Sequence, residues 1–264
     1  MNVISTDIYG GLGNTMFQIA TGYSTSINEN SDFIVDETKH YNGHHPLITY
    51  KNTIFQKVKF SNTEVPYEVY NVGSFHYCEI PKFDRSIKLS GFFQSDKYFK
   101  KNREEILSLF EPNDEIKNKL QSMYGEILKN KTCSIHVRRG DYLKKDTLKV
   151  HGLLTRDYYD RACNFLNVNP DERFLVIENA DQLELSMKEF AQENSFHVID
   201  QQSELDDLRL ISTASHVVIA NSTFSWWGAY LSKAQVISPR NWFAPEELRA
   251  QNICDVYPDD WILL

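Results

Sequence analysis

No stretch of the 264-residue chain approaches the roughly 18 consecutive apolar residues of a membrane span, and its opening, MNVISTDIYGG, has neither the basic segment nor the apolar core of a secretory leader. Both absences predict a cytoplasmic protein. Cysteine is scarce: Cys78, Cys133, Cys163 and Cys254 stand far apart with no CxxC spacing, which excludes a zinc knuckle or a disulfide framework and predicts reduced, buried thiols. Basic charge is scarce as well. With 28 Lys and Arg against 36 Asp and Glu, a formal net charge of -8 and a pI near 5.5, the chain lacks the broad basic face that neutralises a nucleic-acid backbone. Any anion site must therefore be local. No D-x-D triplet, internal repeat, heptad or low-complexity tract occurs either.

What is present describes a folded α/β protein. Hydrophobic residues at 41% and aromatics at 13% supply enough apolar surface to offset chain entropy, and the length suits two modest domains. The chain opens on a strand, NVISTDIYG, a glycine-rich turn, GGLGN, and a helix, TMFQIATGYSTSI, which is half of a βαβ unit. A second strand, DFIVD, is predicted at 32–36, after which positions 37–80 are turn-rich and aromatic-rich and give no clear period. A strand through Leu89, a break at Gly91 and a helix containing REEILSLF follow. Ile116, Leu120, Met123 and Ile127 then line one helical face. From Lys131 onward apolar strands alternate with helices, the pattern of a parallel sheet covered on both faces. The boundary is expected near Lys129, giving domains 1–129 and 130–264.

Ligands of parallel sheets bind at the carboxyl ends of strands, and three motifs fall there. In GGLGN, Gly10, Gly11 and Gly13 let backbone approach a ligand, with helix amides suited to an anion. It is not a dinucleotide fingerprint: the third glycine position of G-x-G-x-x-G holds Met16, and no P-loop lysine follows. In SIHVRRGDY, His136 and Arg138 alternate with Ile135 and Val137, so a strand ends by directing an imidazole and a guanidinium to one face, with Arg139 pointing the other way. A guanidinium forks onto phosphate oxygens and keeps its charge, so Arg138 can neutralise a diphosphate with Asp141 as its orienting partner. A purely structural Arg–Asp salt bridge is the competing reading. In HVVIANSTFSWWGAY, Asn221, Ser222 and Thr223 place hydroxyls, an amide and backbone donors at a helix start, where they also serve as ordinary caps, and Trp226 and Trp227 suit a core.

At these residues the chain resembles the bacterial α-1,2-fucosyltransferases of glycosyltransferase family 11. The likeness rests on GGLGNTMFQIA, on GFFQSDKYF at 91–99, on SIHVRRGDY, and on DLRLIS with HVVIANSTFSWWGAYLS, blocks that span nearly the whole chain. The resemblance implies a GT-B-like architecture of two Rossmann-like domains with parallel sheets facing a cleft, the C-terminal one holding GDP-fucose. It implies inverting transfer of L-fucose to the 2-hydroxyl of a galactose residue in a cell-surface glycan such as O-antigen, with no metal or other cofactor and no nucleic-acid partner. It also implies peripheral association with the inner face of the plasma membrane. Carried onto this sequence, it makes Arg138, His136 and Asp141 the catalytic set, Arg138 gripping the β-phosphate. Ser222, Thr223 and Phe224, with Asn221, would meet the phosphates and base, and Gly10, Gly11, Gly13 and Asn14 would line the cleft beside sugar and acceptor. Two departures stand out: Thr15 replaces a usual Gln, and VIENADQLE replaces an FSDD-like run, which leaves Asp200 and Glu178 as the candidates for the guanine. The general base stays open between His136 and Asp141. The competing functions are a related transferase with another nucleotide sugar, a nucleotide sensor, and an NAD(P)-dependent oxidoreductase using Asp36 as its ribose acid.

Overall fold

The computed structural model describes residues 2–37, 47–62, 65–129, 131–177, 183–200, 203–244 and 252–264. The chain divides into two compact units, residues 1–113 with 251–258 and residues 114–250 with 259–264.

The first unit begins with β1 (Val3–Thr6) and α1 (Leu12–Glu29). Gly10 sits at φ 86 in the turn between them, and a Cβ there would lie 2.5 Å from the Asn14 side chain, so the turn needs glycine. The predicted strand at 32–36 splits in two, β2 (Asp32–Phe33) and β3 (Val35–Asp36), because the chain changes neighbours: Ile34 N–H donates to the Ile4 carbonyl and Val35 N–H to that of Lys59. After a short α2 (Ile48–Lys51), β4 (Phe60–Ser61) pairs with β3 in a small sheet of its own. Next come β5 (Glu68–Val72), β6 (Ile87–Gly91) and α3 (Arg103–Leu109). The main sheet runs β2-β1-β6-β5 with every pair parallel. Lys88 of β6 is buried and donates to Asp36 at 2.8 Å, beneath the Tyr67 ring, so one ion pair ties the main sheet to the small one.

The second unit begins with α4 (Asp114–Leu128), not with the strand after it. Lys119 on this helix pairs with the buried Asp206 of a later helix, and Leu120 is buried, so the division falls at 113/114 where residue 129/130 was expected. There follow β7 (Cys133–Val137), α5 (Lys145–His151), α6 (Arg156–Leu166), β8 (Arg173–Ile177), α7 (Leu185–Glu193), β9 (His197–Asp200), α8 (Glu204–Thr213), β10 (His216–Val218), α9 (Thr223–Tyr230), β11 (Gln235–Ser238) and β12 (Ile262–Leu263). The sheet order is β12-β11-β10-β7-β8-β9, all parallel, and β7 is buried along its whole length, as expected of a strand covered on both faces. Trp226 and Trp227 are fully buried core residues.

The segment 252–258 belongs to the first unit. There Asp255 accepts the Tyr77 N–H at 2.8 Å and pairs with Lys97, and Val256 is fully buried. Cys133 and Cys163 are buried thiols whose pKa burial raises, whereas Cys254 is exposed and Cys78 half-buried, so the expectation of buried thiols holds for two of the four. Among the described residues no helix is long and apolar enough to cross a membrane.

Removing one partner of a buried ion pair leaves the other charge uncompensated, at a cost of about 3–5 kcal/mol. Asp36→Ala should lower the stability of the first unit by that order in calorimetric unfolding, and the Asp36→Leu/Lys88→Met double variant should recover most of the loss.

Candidate active site

The sheet of the second unit reverses its strand order between β7 and β10: the chain leaves β7 toward β8 on one side and β10 toward β11 on the other, which opens a crevice between their loops. Two of the three motifs singled out in the sequence follow these strands, and the third, the glycine turn, follows β1, which lies beside β6 in the first unit.

In the first unit, α1 starts at Leu12, earlier than the sequence suggested, so Gly13 and Asn14 lie in its first turn and Gly11 is its N-cap. The Thr15 amide and hydroxyl both donate to the Gly11 carbonyl, at 3.0 and 3.2 Å, and close that turn. Asn14 Oδ1 accepts from Gln94 Nε2 at 3.0 Å, which joins the first turn of α1 to the loop after β6. Gln18 braces the same turn, accepting the Tyr9 N–H at 3.1 Å and donating to the Tyr9 carbonyl at 3.2 Å. Gly10 and Gly11 are exposed and Gly13 is buried.

In the second unit the two arginines separate as the period of two requires. Arg139 is buried: its Nε and Nη2 fork onto Glu184 at 2.7 and 2.6 Å, Nη2 also donates to the Leu154 carbonyl, and Nη1 to that of Arg138. It is a structural residue. Arg138 is half-buried, with Nη2 donating to Asp141 at 2.6 Å and its guanidinium over the Tyr142 ring. Asp141 is exposed at the start of a single 3-10 turn, Gly140–Leu143. His136 is buried with its ring 5.6 Å from Phe224, and its Nδ1 has no hydrogen-bond partner among the described residues. Burial, reinforced by Arg138 and Arg139, lowers its pKa to about 3. The imidazole is therefore uncharged near neutral pH.

From the other lip, Ser222 is the N-cap of α9 and makes no side-chain capping bond, while Thr223 and Phe224 are half-buried in the first turn. Asn221 braces the surroundings of the site. Its Nδ2 donates to the His151 carbonyl at 2.8 Å and to the Trp242 carbonyl at 3.1 Å, so its amide hydrogens are spent on two neighbouring loops. Its own carbonyl accepts the Tyr142 hydroxyl at 2.9 Å. Tyr142 in turn stacks on His151, centroids 4.7 Å apart and 18° from parallel. Asn221 thus positions the loop that carries Arg138. The sequence did not single out Tyr142 or His151, although Tyr142 closes the RRGDY run. Burial lowers the pKa of His151, an effect that Asp141 opposes and Arg138 reinforces.

Asp200 ends β9 in register with Ile177, at the carboxyl edge of the sheet, and Glu178 lies outside the described residues. Asp36 is committed to Lys88 and is not placed to meet a ribose, which removes the acid that an oxidoreductase reading required.

The profile of glycosyl transferase family 11 matches residues 2–264. The chain belongs to that family. Among characterised relatives, the alpha-1,2-colitosyltransferase of Escherichia coli is 29% identical over 99% of each chain. The O-antigen biosynthesis glycosyltransferase WbnK of Escherichia coli is 32% identical over 67% of this chain and 60% of its own. Human galactoside alpha-(1,2)-fucosyltransferase 1 is 26% identical over 62% of this chain, which spans 48% of the human protein. In fold, the chain is similar to NodZ alpha-1,6-fucosyltransferase soaked with GDP-fucose, with a TM-score of 0.57 at 13% identity over 90% of this chain and 94% of that one. It is also similar to FUT1 of Arabidopsis thaliana in complex with GDP, with a TM-score of 0.51 at 14% identity over 93% and 72%. The protein is a glycosyltransferase with an α/β fold built on parallel sheets, and the transfer of a sugar replaces the sensor and oxidoreductase readings.

The folded pKa of His136 lies below the unfolded value of 6.5, so on acidification the unfolded chain takes up its proton first, and stability held above 6.5 is lost progressively toward about 3. His136→Gln should make the fall of Tm with decreasing pH shallower across that window. An unchanged slope would assign the loss to other groups, such as His151 or His216, whose pKa values burial also lowers.

Proposed function

We propose that this protein transfers a 6-deoxy-L-hexose from its GDP-linked donor to the 2-hydroxyl of a galactose residue in a cell-surface glycan such as O-antigen, with inversion and without a metal ion. The reading rests above all on the reversal of strand order between β7 and β10, which gathers Arg138 and the start of α9 at one crevice. The first-turn amides of α9 are donors suited to a phosphate, and a half-buried guanidinium held by Asp141 supplies permanent positive charge beside them. The glycine turn before α1, with Asn14, Gly11 and Gly13, is the expected partner on the acceptor side, and the two units would then face a cleft as in GT-B enzymes.

The chemistry asks for this arrangement. A lone pair of the acceptor oxygen forms the new bond to the anomeric carbon while the bond from that carbon to the β-phosphate oxygen breaks, the bonding pair leaves with GDP, and the acceptor's hydroxyl proton is given up to Asp141 or to solvent. Attack from the face opposite the leaving group inverts the centre. Negative charge grows on the β-phosphate while the sugar gains oxocarbenium character, and a fixed donor aimed at that oxygen lowers the barrier by roughly 2.7–4 kcal/mol. Arg138 is that donor, Asp141 keeps its fork oriented, Ser222, Thr223 and Phe224 meet the phosphates and the base, and Asp200 is the candidate for the guanine edge. His136 enters as a neutral hydrogen-bonding group.

The choice of sugar has a second reading. The Escherichia coli relative aligned over almost the full length is named for colitose, which differs from fucose in lacking the 3-hydroxyl. A pocket built to hydrogen-bond that hydroxyl would reject colitose, and one lacking such a partner would take either sugar.

Arg138→Ala should lower turnover of GDP-fucose with a galactoside about 10²–10³-fold with little change in Tm, and Arg138→Lys should recover only part, because an ammonium restores charge without the fork. Retained turnover in Arg138→Ala would remove this residue from the mechanism, and strict dependence on an added divalent cation would overturn the metal-free reading. At a hundredfold excess over its dissociation constant GDP should stabilise the protein by about 2.7 kcal/mol, with UDP and NAD giving no comparable shift. Competition between GDP-fucose and GDP-colitose for a single acceptor decides the donor.

A further inference from the structure

Of GFFQSDKYF, one of the blocks that carry the family likeness, only Gln94 enters the site described above. Phe92 in the same block directly follows β6 and is 38% exposed, one of two exposed phenylalanines among the described residues, so packing does not explain it. It does not stand alone. Tyr9, from the loop after β1, meets it edge-on with centroids 5.1 Å apart, and Phe75, from the loop after β5, lies within 8° of parallel to it at 5.7 Å. Because β1, β6 and β5 are adjacent parallel strands, three neighbouring carboxyl ends each give one ring to the same edge of the sheet. The loops that carry the rings are held in place. Gln18, fully buried, accepts the Tyr9 N–H at 3.1 Å and donates to the carbonyls of Tyr9 and Gly91 at 3.2 and 3.5 Å. A Cβ on Gly91 would lie 2.7 Å from the Val72 carbonyl oxygen, so the chain reaches Phe92 through a position that needs glycine. Phe93 then takes φ 53, a left-handed conformation that a bulky residue enters only under constraint, with its ring buried edge-on against Tyr98. Backbone strain of this kind collects where a surface must be presented in one orientation.

We propose that the Phe92 ring, framed by Tyr9 and Phe75, is the surface on which the acceptor galactose stacks, and that it selects galactose over its 4-epimer, glucose. The choice of sugar rests on the transfer reading above. In galactopyranose the axial 4-hydroxyl stands on one side of the ring and leaves the C–H bonds of carbons 3, 4 and 5 together on the other, as an apolar patch. In glucopyranose the equatorial 4-hydroxyl sends the C–H bond of carbon 4 to the opposite face and divides that patch. An exposed aromatic face takes the patch by dispersion and by attraction between weakly positive C–H bonds and the negative face of the ring. The polar side of the sugar has partners close by. The bond between Asn14 and Gln94 uses Asn14 Oδ1 and Gln94 Nε2, and Gln94 Oε1 is buried with no hydrogen-bond partner among the described residues. Gln94 is two residues beyond Phe92, and Asn14 packs against the residue after Tyr9, with its Nδ2 2.5 Å from where a Cβ on Gly10 would lie. A sugar hydroxyl both gives and takes a hydrogen bond, and Asn14 Nδ2 with Gln94 Oε1 offers one donor and one acceptor. Stacking thus sets which face of the sugar lies down, and the amides set its rotation on that face.

The test reads sugar binding and turnover separately on the full chain. In saturation-transfer NMR with the aromatic protons of the protein irradiated, methyl β-D-galactopyranoside should receive magnetisation mainly at the protons of carbons 3, 4 and 5, and methyl β-D-glucopyranoside should receive much less. Phe92→Ala should abolish that transfer and raise the KM for the galactoside about tenfold. The change in kcat should be far smaller, because stacking holds substrate and transition state alike. Phe92→Trp should restore both readouts, and each variant should keep the Tm and GDP affinity of the parent, as expected for an exposed ring. An unchanged KM in Phe92→Ala, a loss confined to kcat, equal binding of the two sugars, or no galactoside binding to the parent would overturn the proposal. So would a fall in GDP affinity in Phe92→Ala, which would assign the ring to the nucleotide. Galactoside binding with the expected pattern in a protein that transfers no fucose would sink the transfer reading and leave the stacking surface standing, whereas transfer indifferent to Phe92→Ala would sink the stacking surface alone.

Discussion

The reversal of strand order between β7 and β10 is the constraint from which the rest of the site follows. The crossings from β7 to β8 and from β10 to β11 leave in opposite directions, so the loops after these two central strands meet at one point of the sheet edge. His136 and Arg138 come from one lip, Asn221 to Phe224 from the other. Asn221 then fastens the lips together, giving its amide hydrogens to the carbonyls of His151 and Trp242 and its carbonyl to Tyr142. Unpaired buried polar groups are costly, so this one residue ties together three neighbouring segments at once.

The adjacent arginines show how one dipeptide is divided between folding and chemistry. Arg139 is withdrawn from solvent and satisfied by Glu184 and two backbone carbonyls, which secures the backbone as it leaves β7. Burial alone would raise the pKa of Glu184, yet hydrogen bonding to Arg139 brings it below the ordinary carboxylate value, so the pair stays ionised. With that residue fixed, its neighbour must project to the opposite face, where Asp141 and the Tyr142 ring hold its guanidinium. In an acidic protein the local field at the crevice is thus set by a short stretch of chain.

Much of this was legible in the sequence because apolar runs and period-two alternation are properties of neighbouring residues. Most strands and helices after Lys131, the separation of Arg138 from Arg139 and the glycine turn could be read that way, whereas α5 and β12 were not. Other features depend on distant residues. The strand predicted at 32–36 divides because Ile4 and Lys59 compete for it, and two-residue strands leave no period to detect. The apolar face of α4 reads the same whichever sheet it covers, so only its pairing with Asp206 reveals the unit to which it belongs. Asn221 has the composition of a ligand-binding residue and of a strut alike, and the carbonyls that decide between them come from residues 151 and 242. The uncharged state of His136 is equally hidden, since it follows from complete burial beside two cations.

The first unit is discontinuous in the chain, and this bears on how the protein is made. Synthesis delivers β1 through α3 early, but the carboxylate that receives the Tyr77 amide and pairs with Lys97 arrives only with residue 255, after the whole helix and strand series of the second unit up to β11 has emerged. These contacts can therefore form only after the second unit has been synthesised as far as β11, whereas an N-terminal domain ordinarily has all its residues in hand before its successor begins.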